Sequence, residues 1–247
     1  MIQRIKNEGT ALLQALKYRV AYPAKNQQET IDRFHQLYYD AGPTGKTWQE
    51  TSWFGVPVRK SPFDLWQYQQ MLFRLKPDLI VETGTLLGGS AFYFATLLDL
   101  LKSGRIITID IDDAETSISR EKTRPALFRP AHPRIEYVRG SSTDPAIVAR
   151  VRKEAEGLKS VLVILDSDHS QKHVYEELKA YAPIVTKGSY VVVEDSNVNS
   201  HPVFPEHGPG PFEAIHQFLA ETRGFEIDRS CESHFMTFNP DGWLKKI

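Results

Sequence analysis

Between residues 2 and 39 of this 247-residue chain, apolar residues recur every three or four positions. The two groups are Leu12, Leu13 and Leu16, then Ile31, Phe34, Leu37 and Tyr38. This spacing predicts two amphipathic helices that are separated near Pro23. Glycines and prolines predict a loop over residues 41–62. A further helix is predicted to begin at Ser61-Pro62, because Pro is tolerated in a first helical turn.

From residue 78 onward, short β-branched runs alternate with stretches of helical spacing. The predicted strands are 79–82, 105–110, 134–138, 160–165 and 190–194, and the predicted helices lie near 89–101, 144–156 and 171–182. The runs VLVIL and YVVVE are continuously apolar, which is typical of parallel strands that helices cover on both faces. The alternation predicts a Rossmann-like α/β fold with a mostly parallel, doubly wound sheet. We assign residues 1–60 to an N-terminal helical extension with its lead-in loop, and residues 61–247 to the α/β domain.

Composition and charge narrow the possible partners. Lys and Arg number 30 against 31 Asp and Glu, so the net charge of −1 provides no global attraction to nucleic acid. The longest apolar run, residues 91–101, is far shorter than the ~20 residues of a membrane-spanning helix. Residues 1–22 lack the compact apolar core of a signal peptide, and the single Cys231 cannot form an internal disulfide. We expect a cytoplasmic protein with no transmembrane segment and no nucleic-acid partner.

A glycine-rich loop, VETGTLLGGS, ends the first predicted strand of the α/β domain. Gly84 would permit a tight turn, while Gly88 and Gly89 would let a ligand approach the backbone at the start of the next helix. The dinucleotide fingerprint G-x-G-x-x-G is not matched, because Leu86 occupies its second glycine position, and this argues against NAD or FAD. The candidate cofactor contacts in this segment are Glu82, Gly84, Thr85, Gly88 and Ser90. The alternative is a purely structural turn.

Further candidate cofactor contacts follow the next two strands. Asp110 ends the second strand, where its carboxylate would accept hydrogen bonds from both ribose hydroxyls of a nucleoside cofactor. Asp112 is a weaker candidate for the same contact. Ser141 and Ser142 follow the third strand, where they would line an adenine ring or form an ordinary loop. The combination of the glycine-rich loop with Asp110 favours a cofactor site over a structural turn.

Carboxylates also cluster after the fourth and fifth strands, in LDSDHS and VEDSN. If these strands are neighbours, Asp166 and Asp168 would face Glu194 and Asp195. Several carboxylates that face one another repel strongly unless a cation or protons intervene. Hard oxygen ligands suit Mg²⁺ or a similar ion. The sequence therefore favours a metal site here, although the same residues could simply cap the helices that follow.

These segments carry a family resemblance. VETGTLLGGS, ILDSDHS, VVVEDSNVNSHP and GPFEAIHQFL, with the lead-in WFGVPVRKSPFDLWQYQQ, resemble the cephalosporin hydroxylase/rhamnosyl O-methyltransferase family from Trp53 to the C-terminus. The resemblance implies a class I methyltransferase fold whose domain at 61–247 binds S-adenosylmethionine. It also implies that Asp166, Glu194 and Asp195 bind Mg²⁺ or Mn²⁺, with Asp166 beside the cofactor as well.

The spacing from Asp166 to Glu194 is also similar to that of catechol O-methyltransferases. Glu-Asp replaces their Asp-Asn, so catechol specificity is not implied. In those enzymes a basic side chain three residues after the first ligand takes the acceptor proton, which points to His169 as a catalytic residue alongside Asp166. None of the eight histidines is followed two residues later by Asp or Glu, so a non-haem iron hydroxylase is disfavoured. His173 is interpreted as a surface or packing residue.

We therefore expect a metal-assisted, S-adenosylmethionine-dependent O-methyltransferase that forms a homo-oligomer. The family points to an acceptor hydroxyl on a small molecule or glycan: a sugar, glycolipid or glycosylated natural product. Residues 197–211 would form a lid, and the N-terminal helices with Trp53 and Phe54 would build the opposite wall, an oligomer interface or plain core. Two alternatives are an NAD-linked oxidoreductase, which Leu86 and the acidic segments disfavour, and a non-catalytic cofactor-binding module.

Overall fold

The computed structural model describes residues 2–113, 115–116 and 129–247. The chain begins with two helices, α1 (Ile2–Ala21) and α2 (Ala24–Asp40), which are separated at Pro23 as predicted. Short 3₁₀ turns and a two-stranded hairpin, β1 (Ser52–Trp53) and β2 (Val56–Pro57), occupy the predicted loop.

The elements of the α/β domain follow in the predicted order. They are α3 (Pro62–Leu75), β3 (Leu79–Thr83), α4 (Gly89–Leu101), β4 (Arg105–Asp110), β5 (Ile135–Arg139), α5 (Pro145–Ala155), β6 (Val161–Leu165), α6 (Gln171–Tyr181) and β7 (Tyr190–Val193). The side chain of Ser61 caps α3 by accepting a hydrogen bond from the Phe63 amide. Three later elements were not predicted from the sequence: α7 (Pro211–Glu221), β8 (Phe225–Ile227) and β9 (Trp243–Lys246).

Seven strands form one sheet in the order β5-β4-β3-β6-β7-β9-β8. The five strands from β5 to β7 are parallel, and β9 pairs antiparallel with both β7 and β8. One face of the sheet packs with α5, α6 and α7, and the other packs with α3 and α4. Alternate residues of β3 accordingly enter different cores, Val81 on the first face and Ile80 on the second. The predicted mostly parallel, doubly wound α/β fold is confirmed.

The carboxyl ends of the central strands meet at one edge of the sheet. The ladder continues one residue beyond each strand, through the bonds Gly84 N to Ile109 O, Asp166 N to Thr83 O and Glu194 N to Leu165 O, at 2.8, 3.0 and 2.9 Å. Gly84, Asp166 and Glu194 therefore start their loops side by side, where open α/β sheets bind ligands.

Helix α2 packs against segments that follow the later strands of the sheet. The His35 ring stacks on Phe238 with centroids 5.5 Å apart, and its Nε2 lies 2.9 Å from Asn197 Nδ2. In contrast, residues 10–21 of α1 are exposed along their whole length. Among the helices whose structure is described, none has the length and apolar character needed to cross a membrane.

Candidate active site

A cavity of about 610 Å³ opens at the carboxyl edge of the parallel strands. One end lies over the loops after β3, β4 and β5, where Gly84, Thr85, Ser90, Asp110, Ser141 and Ser142 line it. The other end lies over the loops after β6 and β7, where Asp166, Asp168, His169 and Asp195 line it. The predicted cofactor segment and most of the predicted acidic cluster therefore share one cavity.

The glycine-rich loop is fixed by its contacts with neighbouring strands. Gly84 has φ +85°, and a Cβ atom there would lie 1.7 Å from the Asp166 carbonyl oxygen, so only glycine fits. Asp110 Oδ2 accepts hydrogen bonds from the amides of Thr85 and Leu86 at 3.0 and 2.8 Å. Asp110 thus links the first two strand ends while remaining at the cavity wall, the position from which we predict that it binds ribose.

Glu82 is buried behind the cavity wall and does not line the cavity. Its two carboxylate oxygens accept hydrogen bonds from Ser90 Oγ and Thr108 Oγ1, at 2.5 and 2.6 Å. Burial, opposed by the charge of Lys60, raises the pKa of Glu82 to about 7. Any contribution of Glu82 to cofactor binding is therefore indirect, through the loop and Ser90.

The two glycines before α4 differ in what they allow. Gly88 has φ +74° at the start of the helix and does not line the cavity, and a Cβ atom there would lie 2.9 Å from Tyr137 Oη. Gly89 lines the cavity, but a Cβ atom there would lie 1.9 Å from the carbonyl oxygen of Pro57 in β2. At Gly89 the missing side chain makes room for the N-terminal hairpin, in addition to any ligand.

His173 lies in the cavity wall, a position that its interpretation as a surface or packing residue does not specify. Its Nε2 lies 3.1 Å from both Ser142 Oγ and Ser167 Oγ. A hydrogen bond with Glu177 raises the pKa of His173, against the effect of partial burial. The physical reason is that α6 begins at the cavity, so His173 in its first turn faces inward.

The acidic loops bring Asp166, His169 and Asp195 together. One ligand atom from each lies within 4.8 Å of the others, an arrangement that could hold a metal ion. His169 Nε2 lies 3.4 Å from Asp166 Oδ1 and 3.6 Å from Asp195 Oδ2. Burial alone would lower the pKa of His169, but its hydrogen bond with Asp166 and the charge of Asp195 raise it to about 9. The imidazole is therefore protonated at neutral pH unless another cation joins the cluster.

A buried lysine occupies the other side of the same cluster. Lys60 Nζ lies 2.5 Å from Asp166 Oδ2 and 2.8 Å from Glu194 Oε2. Tyr68 Oη donates a hydrogen bond to Glu194 Oε1 at 2.5 Å, so both oxygens of Glu194 are engaged by protein groups. Burial, opposed by Lys60, raises the pKa of Glu194 to about 8. Glu194 stays a predicted metal ligand, and a cation bound there would share its two oxygens with Lys60 and Tyr68, because each carboxylate oxygen has two lone pairs.

Several cavity residues were missed by sequence reasoning. Besides His173, they are Tyr39, Trp48 and Arg59. Neither of the expected aromatics lines the cavity: Trp53 Nε1 donates to Thr96 Oγ1 at 2.9 Å, and Phe54 is exposed. Residues 197–211 do not line the cavity either. Lys60 left only a weak signal, a basic residue in the apolar lead-in VPVRKSP.

The fold and the site define the class of protein. Sheet order, the antiparallel β9 and the cavity over a glycine-rich loop belong to the class I methyltransferase fold. An apo structure of CmcI aligns with a TM-score of 0.59 at 20% identity, covering 81% of this chain and 77% of that one. A CmcI structure with Mg and SAM aligns with a TM-score of 0.56 at 21% identity and the same coverage. These alignments establish the fold.

Sequence comparison identifies the family. The family model described as Rhamnosyl O-methyltransferase/CmcI matches residues 45–247. Rhamnosyl O-methyltransferase of Mycobacterium leprae (strain TN) is 37% identical over 217 residues, covering 86% of this chain and 89% of that protein. Its counterpart in Mycobacterium tuberculosis (strain ATCC 25618 / H37Rv) is 38% identical over 219 residues, covering 86% and 83%. This chain belongs to the Rhamnosyl O-methyltransferase/CmcI family, and the predictions of that family and of an O-methyltransferase are confirmed.

Proposed function

We propose that this enzyme transfers a methyl group from S-adenosylmethionine to a hydroxyl of a sugar, glycolipid or glycosylated natural product, with a divalent metal at the acidic cluster. The observation that carries the proposal is the single cavity that joins the Gly84–Asp110 end to the Asp166–His169–Asp195 end. The sugar class follows from the rhamnosyl O-methyltransferase relatives.

The residues at the loop end fit S-adenosylmethionine. The Gly84 turn leaves the backbone bare, Asp110 supplies a carboxylate for the ribose, and Ser141 and Ser142 supply hydroxyls near the adenine position. Leu86 lies in the loop with φ +47° where a dinucleotide fold needs its second glycine, which disfavours the NAD-linked alternative. When bound, S-adenosylmethionine supplies an electrophilic methyl group, and Mg²⁺ or Mn²⁺ supplies a Lewis acid that lowers the pKa of the acceptor hydroxyl.

The donor set at the other end fits a divalent cation. Asp166 and Asp195 offer hard oxygen atoms, which suit Mg²⁺ and Mn²⁺. Glu194 completes the predicted set of ligands, whereas His169 is the third member of the cluster that the side chains form. The His169 nitrogen can serve as a ligand or as the group that accepts the acceptor proton, but it cannot do both through the same atom.

His169 and the metal site are coupled through shared carboxylates. Asp166 and Asp195 hold the proton on His169. A cation that neutralises them would lower the pKa of His169 towards the range in which a general base works best. His169 would then accept the hydroxyl proton while the cavity walls align the oxygen with the methyl group, and alignment supplies much of the rate gain.

The test is a ligand-binding and turnover series on the full chain. S-adenosylhomocysteine should raise the melting temperature, because it binds only the folded state, and Asp110→Ala should weaken that stabilisation. Methyl transfer to methyl α-L-rhamnopyranoside should cease with excess EDTA and return with Mg²⁺ or Mn²⁺. Stabilisation by NAD but not by S-adenosylhomocysteine would overturn the proposal. Full activity in EDTA would leave methyl transfer standing and remove the metal, and binding without turnover would favour a non-catalytic module.

A further inference from the structure

We propose that the N-terminal segment supplies the acceptor subsite, in which Tyr39 and Trp48 form an aromatic wall that binds the pyranose ring of a glycoside. The inference rests on the proposed function, and it assigns the substrate-contacting role to residues outside the α/β domain. Both rings line the cavity at its Asp195 end, and both are partly exposed there.

The aromatic wall is preformed. The rings of Tyr39 and Trp48 stack with centroids 5.5 Å apart and an interplanar angle of 21°. Trp48 Nε1 donates a hydrogen bond to the Tyr39 carbonyl oxygen at 2.9 Å. A Cβ atom on Gly42 would lie 2.5 Å from Trp48 Nε1, so glycine makes room for the indole. Phe238 packs edge-on against both rings at 5.8 and 6.1 Å.

Contacts of α2 fix the position of the aromatic wall relative to the acidic cluster. His35, one turn before Tyr39 on α2, contacts Asn197 and stacks on Phe238. Asn197 lies two residues after Asp195 in the same loop, and the Phe238 amide donates to buried Asp64 at 2.8 Å. Burial, together with the charge of Asp195, raises the pKa of Tyr39 to about 12. A ring seated on the wall would thus lie next to Asp195 and His169.

The chemistry of this end suits a sugar. Aromatic faces pack against the C–H face of a pyranose, while its hydroxyls need polar partners around the rim. The rim here is polar, with Asp168, His169, Asp195 and Arg59. Arg59 reaches the cavity wall from the segment that follows the hairpin, with φ +56°. A flat phenol could stack on the aromatic wall, but it has too few hydroxyl groups to form hydrogen bonds with most of the polar rim.

The experiment compares Trp48→Ala and Trp48→Phe with Trp66→Ala, a matched control for an exposed tryptophan on α3 outside the cavity. With methyl α-L-rhamnopyranoside as acceptor, Trp48→Ala should raise KM about 5- to 100-fold, the usual effect of truncating an aromatic side chain at the centre of a binding contact. The affinity for S-adenosylhomocysteine, measured by calorimetry, should stay within about twofold, since stacking loss is confined to the acceptor end. Trp48→Phe should recover most of the loss, and Trp66→Ala should match the unmodified enzyme.

A second measurement covers the case in which Trp48→Ala fails to fold. Selective saturation of aromatic protons in the unmodified enzyme should transfer to the C–H protons of the bound glycoside in the presence of S-adenosylhomocysteine. Normal KM in folded Trp48→Ala, or no transfer from aromatic protons, would overturn the subsite while leaving methyl transfer intact. Preference for a catechol over the glycoside would overturn the sugar assignment. Failure of the unmodified enzyme to bind S-adenosylhomocysteine would instead overturn the proposed function, and the subsite with it.

Discussion

At the scale of single residues, the buried Lys60 ammonium group balances the carboxylates at the carboxyl edge of the sheet. Lys60 contacts Asp166 and Glu194, and its charge also acts on Glu82. Burial would lower the pKa of Lys60, but the adjacent carboxylates outweigh this effect and raise it. Lys60 therefore stays charged, and its charge offsets the repulsion among the carboxylates of Asp166, Glu194 and Glu82.

Removing that cation should be costly. Lys60→Met would leave Asp166 and Glu194 without their partner, and breaking a buried ion pair typically costs about 3–5 kcal/mol of unfolding free energy. Because Mg²⁺ can replace the missing charge, it should raise the melting temperature of Lys60→Met more than that of the unmodified enzyme. Lys172→Met, at an exposed position on α6, provides the control. Equal Mg²⁺ responses would show that lysine and metal do not share these carboxylates.

Asp64, which is buried and hydrogen-bonded by Thr237 and Phe238, gives a pH-dependent prediction. Burial raises its pKa to about 7, against hydrogen bonds from Thr237 and Phe238, whereas the unfolded value is 3.8. Because the folded state binds the Asp64 proton more tightly than the unfolded state does, protonation of Asp64 stabilises the fold. This stabilisation is fully present below about pH 4 and is lost as the pH rises to about 7.

Asp64→Asn should remove this dependence, because an amide resembles the protonated acid. The variant should gain stability relative to the unmodified enzyme between pH 4 and pH 7, by up to about 4 kcal/mol. Urea unfolding at several pH values measures the difference. Parallel stability profiles for the two proteins would contradict a raised pKa at Asp64.

His169 tests the proposed base. If it accepts the hydroxyl proton, His169→Ala should lower kcat by roughly 10²–10⁴-fold, with little change in S-adenosylhomocysteine affinity. The acidic limb of the pH–rate profile should vanish in the variant. In metal-loaded enzyme that limb should lie below the value of about 9 that the uncompensated carboxylates impose. His216→Ala, outside the cavity, is the control. Near-normal kcat and an unchanged profile would remove His169 from the mechanism.

At the scale of elements, the N-terminal hairpin packs directly against α4, through the Trp53–Thr96 hydrogen bond and through a close backbone contact. Gly89, the first residue of α4, lies directly against the Pro57 carbonyl of β2. The hairpin leads into Arg59 and Lys60, so this contact sets the distance between the glycine-rich loop and the acceptor end of the cavity.

Gly89→Ala should therefore damage stability and activity together. The added methyl group would force β2 away, and overpacking of this kind typically costs about 1–3 kcal/mol. Acceptor KM should rise as well, because Arg59 moves with the hairpin. Gly224→Ala is the matched control, since a Cβ atom there would meet nothing within 4 Å and its φ is not positive. Similar melting temperatures for the two variants would show that the hairpin can move away from α4 without loss of stability.

At the scale of the whole molecule, the cavity is assembled from both parts of the chain. The loops after β3 to β7 supply the floor, and α2 with the segment up to Arg59 supplies a wall. Within the part of α1 whose side chains are described, residues 10–21, none lines the cavity, and the Leu12, Leu13, Leu16 and Val20 side chains are exposed.

Deleting residues 2–21 should leave the folded monomer intact. An exposed helix adds little to monomer stability, so at low protein concentration the melting temperature should change by no more than about 2 °C. S-adenosylhomocysteine affinity should not change. Light scattering on the full chain tests the expected homo-oligomer, and a lower mass after deletion would place α1 at its interface. A large fall in melting temperature at low concentration would contradict an independent α1.

The sequence by itself determined the features that depend on local physics. Strand periodicity located β3 to β7 to within one or two residues, and it placed Gly84, Asp110 and Asp166 at strand ends, because parallel strands end at one edge. The short β8 and β9 carry too few residues for a reliable pattern, and they were missed.

The tertiary structure alone decided which distant groups share the site. Tyr39 and Trp48 enter the cavity because α2 docks on Phe238, and Lys60 reaches Glu194 across more than half the chain. The same packing turned His173 inward and engaged Glu194 with Lys60 and Tyr68. Local sequence patterns do not predict these long-range contacts, because the energies of burial and of ion pairing depend on neighbours that only the complete fold brings together.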